Sequence, residues 1–236
     1  NILVGGDFLT LGGQTRHYLG RLDEYGNVDP DFNPGTGGRV DSLIVQPDGK
    51  ILVGGYFHTL AGQPCESIGR LNPDGTFDAS FNAGANGNVY SLALQADGKV
   101  LAGGAFTELN GQPRARLGRL NADGSLDESF NPGADNVVGY IAIQPDGKIL
   151  AGGDFTMLGG QPRHYLGRLR IDGSLDDGFT AAPSGGGLRS LALQADGKIL
   201  VGGGFTALGG QPCLRLGRLY ADGSPDAPFN PGADGM

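Results

Sequence analysis

The sequence predicts an all-β protein, a β-propeller with five blades of about 49 residues. Three observations predict this fold class: one hairpin motif recurs along the chain, glycine is abundant, and no segment shows sustained helical periodicity. Glycine makes up 46 of the 236 residues, and apolar residues make up 39% against 18% charged. So much glycine without a collagen triplet indicates many turns and short strands, and the apolar share indicates a packed core.

The hairpin motif is clearest at residues 144–155, which read QPDGKILAGGDF. The pair Asp146-Gly147 is a strong signal for a tight turn, because glycine accepts the positive φ that such a turn requires. Residues 149–151 are apolar and partly β-branched, which suits a buried strand. The glycine pair that follows weakens a strand unless something packs closely against its backbone. Such pairs, as at 54–55, are therefore expected to let neighbouring sheets approach.

The motif marks five repeats. The phenylalanine that follows Gly-Gly-X recurs at intervals of 49, 49, 49 and 50 residues. It stands at Phe8, Phe57, Phe106, Phe155 and Phe205. We therefore predict a single propeller domain, 1–236, with repeat units at about 1–39, 40–88, 89–137, 138–187 and 188–236.

Each unit has the same predicted order of elements. In the third unit these are a first strand at 89–95, a second at 100–106, a third at 116–120, and a segment at 126–130 that is either a short fourth strand or a turn. A Gly-Gln-Pro loop lies between the second and third strands. A period of 40–50 residues with three or four strands is typical of a propeller blade, whereas a β-helix needs a shorter period and a parallel α/β sheet needs helices.

A propeller blade cannot bury both of its faces alone. Arranging the blades in a ring covers each face with the next blade and leaves only short edges. The first strand of each unit is apolar on both faces, as expected of the innermost and most enclosed strand.

Four segments of the unit carry a family resemblance: QPDGKILVGGxF, GQP, xRLGRLN and DGSLDxxFNPG. Through them the chain resembles the delta-60 repeat, a bacterial β-propeller repeat family, over essentially its whole length. The strand–PDGK–strand hairpin also looks like that of WD repeats, but tryptophan is absent, so the WD signature itself is missing. The resemblance implies a propeller of the kind found in large cell-surface or secreted proteins, with no established enzymatic chemistry.

The first blade lacks its innermost strand in this sequence. The innermost-strand motif occurs four times, whereas the strand after it occurs five times. The four copies are 40–46, 89–95, 138–144 and 188–194. A sheet without its inner strand leaves backbone donors and acceptors unpaired, which is costly. Three explanations remain open: the chain is trimmed from a longer protein that supplies the strand, another copy donates a strand by β-augmentation, or the ring is incomplete.

Each unit also contains an arginine in a Gly-Arg-Leu segment and an aspartate eight residues later. Because a carboxylate beside a guanidinium is the usual way to hold charge inside a fold, we predict a structural latch, with a repeated ligand site as the alternative. The latch residues are Arg21, Asp29, Arg70, Asp78, Arg119, Asp127, Arg168, Asp176, Arg218 and Asp226.

The second Asp-Gly turn places oxygen-bearing side chains at alternate positions, at Asn121, Asp123, Ser125 and Asp127 in the third unit. This pattern is similar to a calcium loop. The pattern breaks in other units, so a turn held by side-chain-to-backbone hydrogen bonds is the simpler interpretation. No set of histidines and carboxylates has the spacing of a transition-metal site, and we predict no metal and no cofactor.

The residue after each Gly-Gln-Pro or Gly-Gln-Thr loop varies between arginine and cysteine. The five positions are Arg16, Cys65, Arg114, Arg163 and Cys213. Variable side chains on a fixed loop are typical of a recognition surface and also of an unused one.

Cys65 and Cys213 occupy equivalent places in units two and five, which are not neighbours in a five-membered ring. A disulfide needs Cα atoms within about 7 Å, so an internal bond is not expected. Free thiols and a disulfide between subunits are the two alternatives.

Charge and hydropathy exclude several classes of function. The formal net charge is −8 with only 17 basic residues, which argues against nucleic-acid binding. No run of 18 apolar residues predicts a membrane span. The sequence contains no Gly-X-Ser-X-Gly elbow, no Cys-His signature and no phosphate-cradling loop, so we predict no enzyme.

We therefore expect a non-enzymatic, extracellular or cell-surface structural or interaction propeller that binds other copies of itself, as the subunit of a surface fibre or layer. One alternative is a lectin-like propeller with one weak glycan site per blade, built from Tyr or Phe with Asn or Gln. Another is that the chain is a fragment of a larger secreted repeat protein.

Overall fold

A computed structural model describes residues 1–234 of the chain. All of its regular elements in this range are β-strands, in agreement with the predicted fold class. The chain divides into two compact units, Asn1–Arg114 with Arg119–Asp127, and Ala115–Gly118 with Glu128–Met236. The prediction of a single domain stays a prediction, and the two units are described separately below.

The long strands follow the repeat. The first strands of repeats two to five are β5 (Val40–Val45), β10 (Val89–Leu94), β15 (Val138–Ile143) and β21 (Leu188–Leu193). The second strands are β1 (Ile2–Gly5), β6 (Ile51–Gly55), β11 (Val100–Gly104), β16 (Ile149–Gly153) and β22 (Ile199–Gly203). The third strands are β4 (Leu19–Leu22), β9 (Ile68–Leu71), β14 (Leu117–Leu120), β19 (Leu166–Leu169) and β25 (Leu216–Leu219).

The Gly-Gln-Pro segment, predicted as a loop, is a small hairpin of two-residue strands. These strands are β2 (Thr10–Leu11), β3 (Gln14–Thr15), β7 (Thr59–Leu60), β8 (Gln63–Pro64), β12 (Glu108–Leu109), β13 (Gln112–Pro113), β17 (Met157–Leu158), β18 (Gln161–Pro162), β23 (Ala207–Leu208) and β24 (Gln211–Pro212). One further short strand, β20 (Pro183–Ser184), pairs with β23.

The predicted short fourth strand is a turn with a single β-bridge. In the second repeat the bridge joins Leu71 to Phe77, and in the fourth it joins Leu169 to Leu175. Two residues separate the Asp-Gly turn from the latch aspartate, and the main-chain nitrogen of this aspartate donates back to the carbonyl oxygen of the latch arginine, as Asp78 does to Arg70 at 2.9 Å.

The sheets are antiparallel, in the order first, second, third strand: β5-β6-β9 in the first unit, and β15-β16-β19 and β21-β22-β25 in the second. Each first strand contains a bulge near its start, where the pairing skips one residue. The skipped residues are Asp41, Tyr90, Gly139 and Arg189. Bulges re-aim side chains, so these four positions leave the regular alternation of the sheet.

Consecutive repeats bury apolar faces against each other within each unit. We call the face that meets the following repeat the leading face, and the face that meets the preceding repeat the trailing face. The leading face of repeat two contributes Leu52, Ile68 and Phe81 to a core that also contains Val100 and Ala102 of repeat three. In the second unit, Leu150, Leu166 and Phe179 of repeat four form the corresponding core with repeat five.

The glycine pairs permit this packing, as expected from the sequence. A Cβ atom on Gly54 would lie 3.0 Å from Val89 Cγ1 and 3.1 Å from Leu92 Cδ1 of the next repeat. The side chains of repeat three therefore rest directly on the backbone of β6.

The first repeat has a two-stranded sheet, β1-β4, where the complete repeats have a further strand beside the second one. Residues 2–6 read ILVGG, the same as residues 51–55. Ile2 is nevertheless 55% exposed, whereas the equivalent Ile51 is 2% exposed. The burial of this identical segment therefore depends on what surrounds β1 and not on its own sequence.

Candidate functional site

The predicted latch forms in every repeat. In the second repeat Arg70 Nε donates to Asp78 Oδ2 at 2.7 Å, and both side chains are more than nine-tenths buried. The guanidinium carbon lies 4.6 Å from the centre of the Phe81 ring, which adds a cation–π contact. The same 2.7–2.8 Å Nε–Oδ2 pair recurs at Arg21–Asp29, Arg119–Asp127, Arg168–Asp176 and Arg218–Asp226.

Two further side chains belong to the latch and were missed in the sequence. Lys50 Nζ lies 2.9 Å from Asp78 Oδ2, and Gln46 Oε1 accepts from Arg70 at 3.4 Å. The signal was present in the sequence, because all four lysines occur in the same Asp-Gly-Lys turn and each turn follows a glutamine. A repeated charge in a fixed position indicates a repeated partner.

The latch also joins consecutive repeats within a unit. The terminal nitrogen of Arg21 donates to the carbonyl oxygen of Pro73 at 2.7 Å, and that of Arg70 donates to Ala122 at 2.8 Å. Arg168 donates to Ala221 in the second unit at 2.5 Å. Each accepting carbonyl precedes the Asp-Gly of the second turn of the next repeat. In these three cases the latch arginine therefore also bonds the next repeat of its own compact unit.

Hydrogen bonding controls the ionisation of the latch aspartates. Burial alone would raise the pKa of Asp78, but hydrogen bonds from Ser80, Lys50 and Arg70 outweigh it and hold the pKa below its ordinary value. The pKa of Asp176 is also lowered, since the attraction and hydrogen bond of Arg168 exceed the effect of burial. These carboxylates are ionised and bonded to their latch partners near neutral pH, so they are poorly suited to proton transfer there.

The oxygen-rich second turn is closed by its own hydrogen bonds. Asp123 Oδ1 accepts from the backbone nitrogen of Ser125 at 2.9 Å and from its hydroxyl at 2.7 Å. Asn121 Nδ2 donates to Ser125 Oγ at 2.9 Å, so a donor and not an oxygen faces the turn. Within residues 1–234 no three histidine, cysteine, aspartate or glutamate side chains stand close enough to hold a metal ion.

The variable position after the Gly-Gln-Pro or Gly-Gln-Thr loop is buried in four of the five repeats. Arg16 and Arg114 are 5% and 7% exposed, and both cysteines are 7% exposed. Arg16 donates to the carbonyl oxygen of Asp29 at 2.9 Å, which ties the small hairpin to the latch segment. The exception is Arg163, whose side chain is 23% exposed and lies 3.0 Å from Asp177 Oδ1. The other four side chains are buried and do not form an exposed surface.

Cys65 and Cys213 are free and buried. Cys65 Sγ donates to the carbonyl oxygen of Ile68 at 3.2 Å, and burial raises the pKa of this thiol to about 12. Burial also raises the pKa of Cys213. The predicted intersubunit disulfide stays a prediction, and it would require each thiol to leave its apolar surroundings.

Polar side chains pair with each other at the bulge end of the first unit. Arg39 Nε lies 2.8 Å from Asp41 Oδ1, and burial raises the pKa of Asp41 despite this partner. Asn88 Nδ2 donates to the hydroxyl of Tyr90 at 3.1 Å in the next repeat. These residues differ from repeat to repeat, in contrast to the latch residues. The side chains at the bulge end therefore differ in charge and hydrogen-bonding groups from one repeat to the next.

A scan against protein-family models matches residues 1–32, 46–81, 95–130, 144–179 and 194–229 to one family, described as "Domain of unknown function (DUF5122) beta-propeller". The chain belongs to this DUF5122 β-propeller family. The five matched segments confirm the predicted all-β fold of five propeller repeats of about 49 residues.

Solved structures support the same fold for the DUF5122 repeats. A streptogramin B lyase structure matches with a TM-score of 0.53 and 18% identity over 87% of this chain. The DUF5122 chain spans 59% of the lyase chain. A protein of unknown function from Bacteroides caccae matches with a TM-score of 0.50 and 12% identity, covering 88% of this chain and 73% of that one. At such low identity these likenesses show the fold alone. A search of curated proteins gives no significant match.

Proposed function

We propose that this chain is a non-enzymatic structural or interaction propeller that self-associates at the cell surface or outside the cell, as part of a fibre or layer. The resemblance to the delta-60 repeat and the low charge density support the proposed extracellular location. No helix of residues 1–234 has the length and apolarity needed to cross a membrane.

The observation that carries the proposal is the exposure of two apolar faces. Leu216, on the leading face of repeat five, is 37% exposed, whereas its equivalents Ile68 and Leu166 are fully buried. On the trailing face of repeat one, Ile2 is 55% exposed. Inside each unit, the leading face of one repeat is buried against the trailing face of the next. An exposed leading face is therefore complementary to an exposed trailing face.

Self-association is tested by the mass of the chain in solution. Sedimentation velocity between about 1 and 100 μM should give species heavier than the 24.2 kDa monomer, with a mass that rises with concentration. A monomer at every concentration would refute the proposal. Electron microscopy of the same samples distinguishes discrete rings from fibres.

Glycan binding is the second candidate, because grooves occur at two successive repeat junctions of the first unit. One groove of about 680 Å³ is lined by Asn33, Gln63 and Phe77, and another of about 650 Å³ is lined by Asn82 and Asn110. The first groove has the aromatic ring beside amide side chains that is expected of a weak sugar site, whereas the lining of the second groove offers amide side chains without an aromatic ring. A glycan array without a hit at multivalent presentation would remove this candidate.

A further inference from the structure

The position after the Gly-Gln-Pro or Gly-Gln-Thr loop holds a guanidinium group in three repeats and a thiol in two. Arginine stands there in repeats one, three and four, and cysteine stands there in repeats two and five. The arginine makes the same bond each time, because a terminal nitrogen donates to the carbonyl oxygen of the preceding residue at 2.8 Å. This bond is made by Arg16, Arg114 and Arg163. The guanidinium therefore has one constant place beside the small hairpin.

Arg16 shows which groups surround that place. Its guanidinium donates to the carbonyl oxygens of Thr15 at 2.8 Å and Asp29 at 2.9 Å, and to Gln14 Oε1 at 3.3 Å. These acceptors are two main-chain carbonyls and one side-chain amide, so all three are neutral oxygens. A guanidinium carries five N–H donors and no acceptor, which matches a place lined by oxygens.

In repeat five a cavity of about 240 Å³ occupies the corresponding place. Its lining contains the equivalents of Arg16 and of all three residues that accept from Arg16. These lining residues are Gln211, Pro212, Cys213 and Asp226, which correspond to Gln14, Thr15, Arg16 and Asp29. The Cys213 thiol donates to the carbonyl oxygen of Leu216 at 3.3 Å, so its one proton is already bonded elsewhere.

The residue fourteen positions later changes together with the arginine. It is Glu128 in repeat three and Asp177 in repeat four, but it is Ala79 and Ala227 in the two cysteine repeats. In repeat four the Asp177 carboxylate lies 3.0 Å from the guanidinium and is 78% exposed, so it marks the outer rim of the place. In repeat five Ala227 lines the cavity. Two shorter side chains thus replace the cation and the acid of repeat four.

Neighbouring repeats do not cover this place. Repeat five follows repeat four within the second unit, and Asp177 of repeat four is nevertheless 78% exposed. Repeat two lies between residues of repeats one and three, and its equivalent place borders both grooves described above. Gln63 and Ala79 line one groove, and Pro64 and Cys65 line the other.

We propose that repeats two and five each bind a guanidinium group from outside the chain, in the place that an arginine side chain fills in the other three repeats. In repeat five the group would donate to the carbonyl oxygens of Pro212 and Asp226 and to Gln211 Oε1. The corresponding acceptors in repeat two belong to Pro64, Asp78 and Gln63. This inference goes beyond the proposed self-association and does not depend on it.

The latch arginine beside the cavity does not prevent the binding of a second guanidinium. Arg218 also lines the cavity of repeat five, but its charge is paired with Asp226 at 2.8 Å. Repeat one shows the same arrangement with both guanidinium groups present, because Asp29 accepts from Arg21 through its carboxylate and from Arg16 through its carbonyl. A net charge of −8 also favours a cation over an anion.

Titration with a small guanidinium compound tests the proposal. We would add ethylguanidinium chloride, up to about 20 mM, to isotope-labelled protein and follow the backbone amide signals by nuclear magnetic resonance. Saturable shifts are expected at residues 63–65 and 211–213. Ethylurea has nearly the same shape without the charge, so it is the matched control and should bind at least about tenfold more weakly.

Filling the two places should abolish the binding. The double variant Cys65→Arg with Cys213→Arg supplies the chain's own guanidinium groups and should bind ethylguanidinium at least about tenfold more weakly. Cys65→Ser with Cys213→Ser keeps the space and should bind as the wild type does. Circular dichroism would verify the fold of each variant.

The converse change should create a site. Arg163→Cys with Asp177→Ala gives repeat four the residues of repeat five, and the folded variant should show a third set of saturable shifts near residues 161–163. This test does not depend on whether the arginine variants fold.

A peptide distinguishes the two sources of a guanidinium group. The pentapeptide Gly-Gly-Arg-Gly-Gly would be compared with its lysine counterpart and with ethylguanidinium. Binding of the arginine peptide at least about tenfold tighter than that of ethylguanidinium would assign the place to an arginine side chain of a partner protein. Equal or weaker binding of the peptide would assign it to a free guanidino compound.

Four outcomes would overturn the inference. These are the absence of saturable shifts with ethylguanidinium, an equal response to ethylurea, undiminished binding by the double arginine variant, and a folded repeat-four variant without a third site. Each of them would leave the proposed self-association standing, because sedimentation of the wild type tests that proposal separately.

Discussion

At the scale of single residues, the latch explains why the same charged side chains return in every repeat. An arginine, an aspartate, a lysine and a glutamine form one buried network, and the arginine continues to the next repeat. Burying such charges is tolerable only when each keeps its partners. The most buried latches should therefore be the most sensitive to substitution.

Asp78→Asn should destabilise the protein by about 3 kcal/mol, because it leaves the buried Arg70 guanidinium without its counter-charge. Urea unfolding monitored by circular dichroism measures the change. Asp29→Asn is the matched control in the first repeat, where both latch partners are about one-fifth exposed and the loss should be smaller. Equal losses at the two positions would show that burial does not govern latch strength.

The lowered pKa of the latch aspartates predicts loss of stability in acid. Because the pKa of Asp78 and of Asp176 is lower in the fold than in the unfolded chain, their contribution is present above the unfolded value of about 3.9 and is lost as the pH falls below it. Urea midpoints between pH 7 and about 2.5 should fall mainly below pH 4. Asp78→Asn should show a shallower decline, and an equally steep decline would assign the effect to other carboxylates.

The buried thiols should react slowly. With its pKa raised to about 12, Cys65 is almost wholly protonated at pH 8. Alkylation by iodoacetamide should therefore be slow in the folded protein and fast in denaturant. Rapid labelling of both cysteines in the native state would show that the thiols reach the surface and would revive a disulfide between subunits.

At the scale of strands and sheets, the glycine pair after the second strand sets how closely two sheets approach. The side chains of β10 lie against the backbone of β6, and a methyl group on Gly54 would press on Val89 and Leu92. The spacing between sheets in this fold is thus fixed by the absence of a side chain.

Gly54→Ala should cost about 1–3 kcal/mol, the usual range for overpacking a buried contact. Gly139→Ala is the matched control, since a Cβ on that glycine would have no atom within 4 Å. Thermal melts of the two variants compare the effects. Equal melting temperatures for Gly54→Ala and the wild type would mean that the sheets separate without penalty.

The elements differ in how far the sequence determines them. The Asp-Gly turns and the recurring apolar segments predicted the three long strands to within two residues at their ends. The small hairpin around Gly-Gln-Pro was missed because two-residue strands carry no periodicity. The arginine and aspartate of the latch were predictable from recurrence, whereas their contact to the next repeat depends on packing between repeats, which spacing along the chain does not encode.

At the scale of the whole molecule, the repeats behave as units that mainly contact their neighbours within each compact unit. The stability of such chains is close to a sum of repeat and junction contributions. Assembly between copies would add further junction contributions, made between chains. It would also have to overcome the electrostatic repulsion between molecules that each carry a net charge of −8.

Salt should therefore strengthen self-association. Raising sodium chloride from about 0.05 to 0.5 M shortens the screening length and reduces this repulsion, while the apolar contact remains. Sedimentation at fixed protein concentration should show a larger average mass at high salt. A smaller mass at high salt would indicate that attraction between charges, and not apolar contact, holds the copies together.

The bulges have a consequence for engineering and for evolution. Asp41, Tyr90, Gly139 and Arg189 share one backbone geometry, yet an acid, a phenol, a hydrogen and a guanidinium all occupy it. The ladder around each position does not rely on the identity of that side chain. These four positions should therefore tolerate a wide range of side chains. Randomising their codons should yield a library of variants that keep the fold and differ in the chemistry of the bulges.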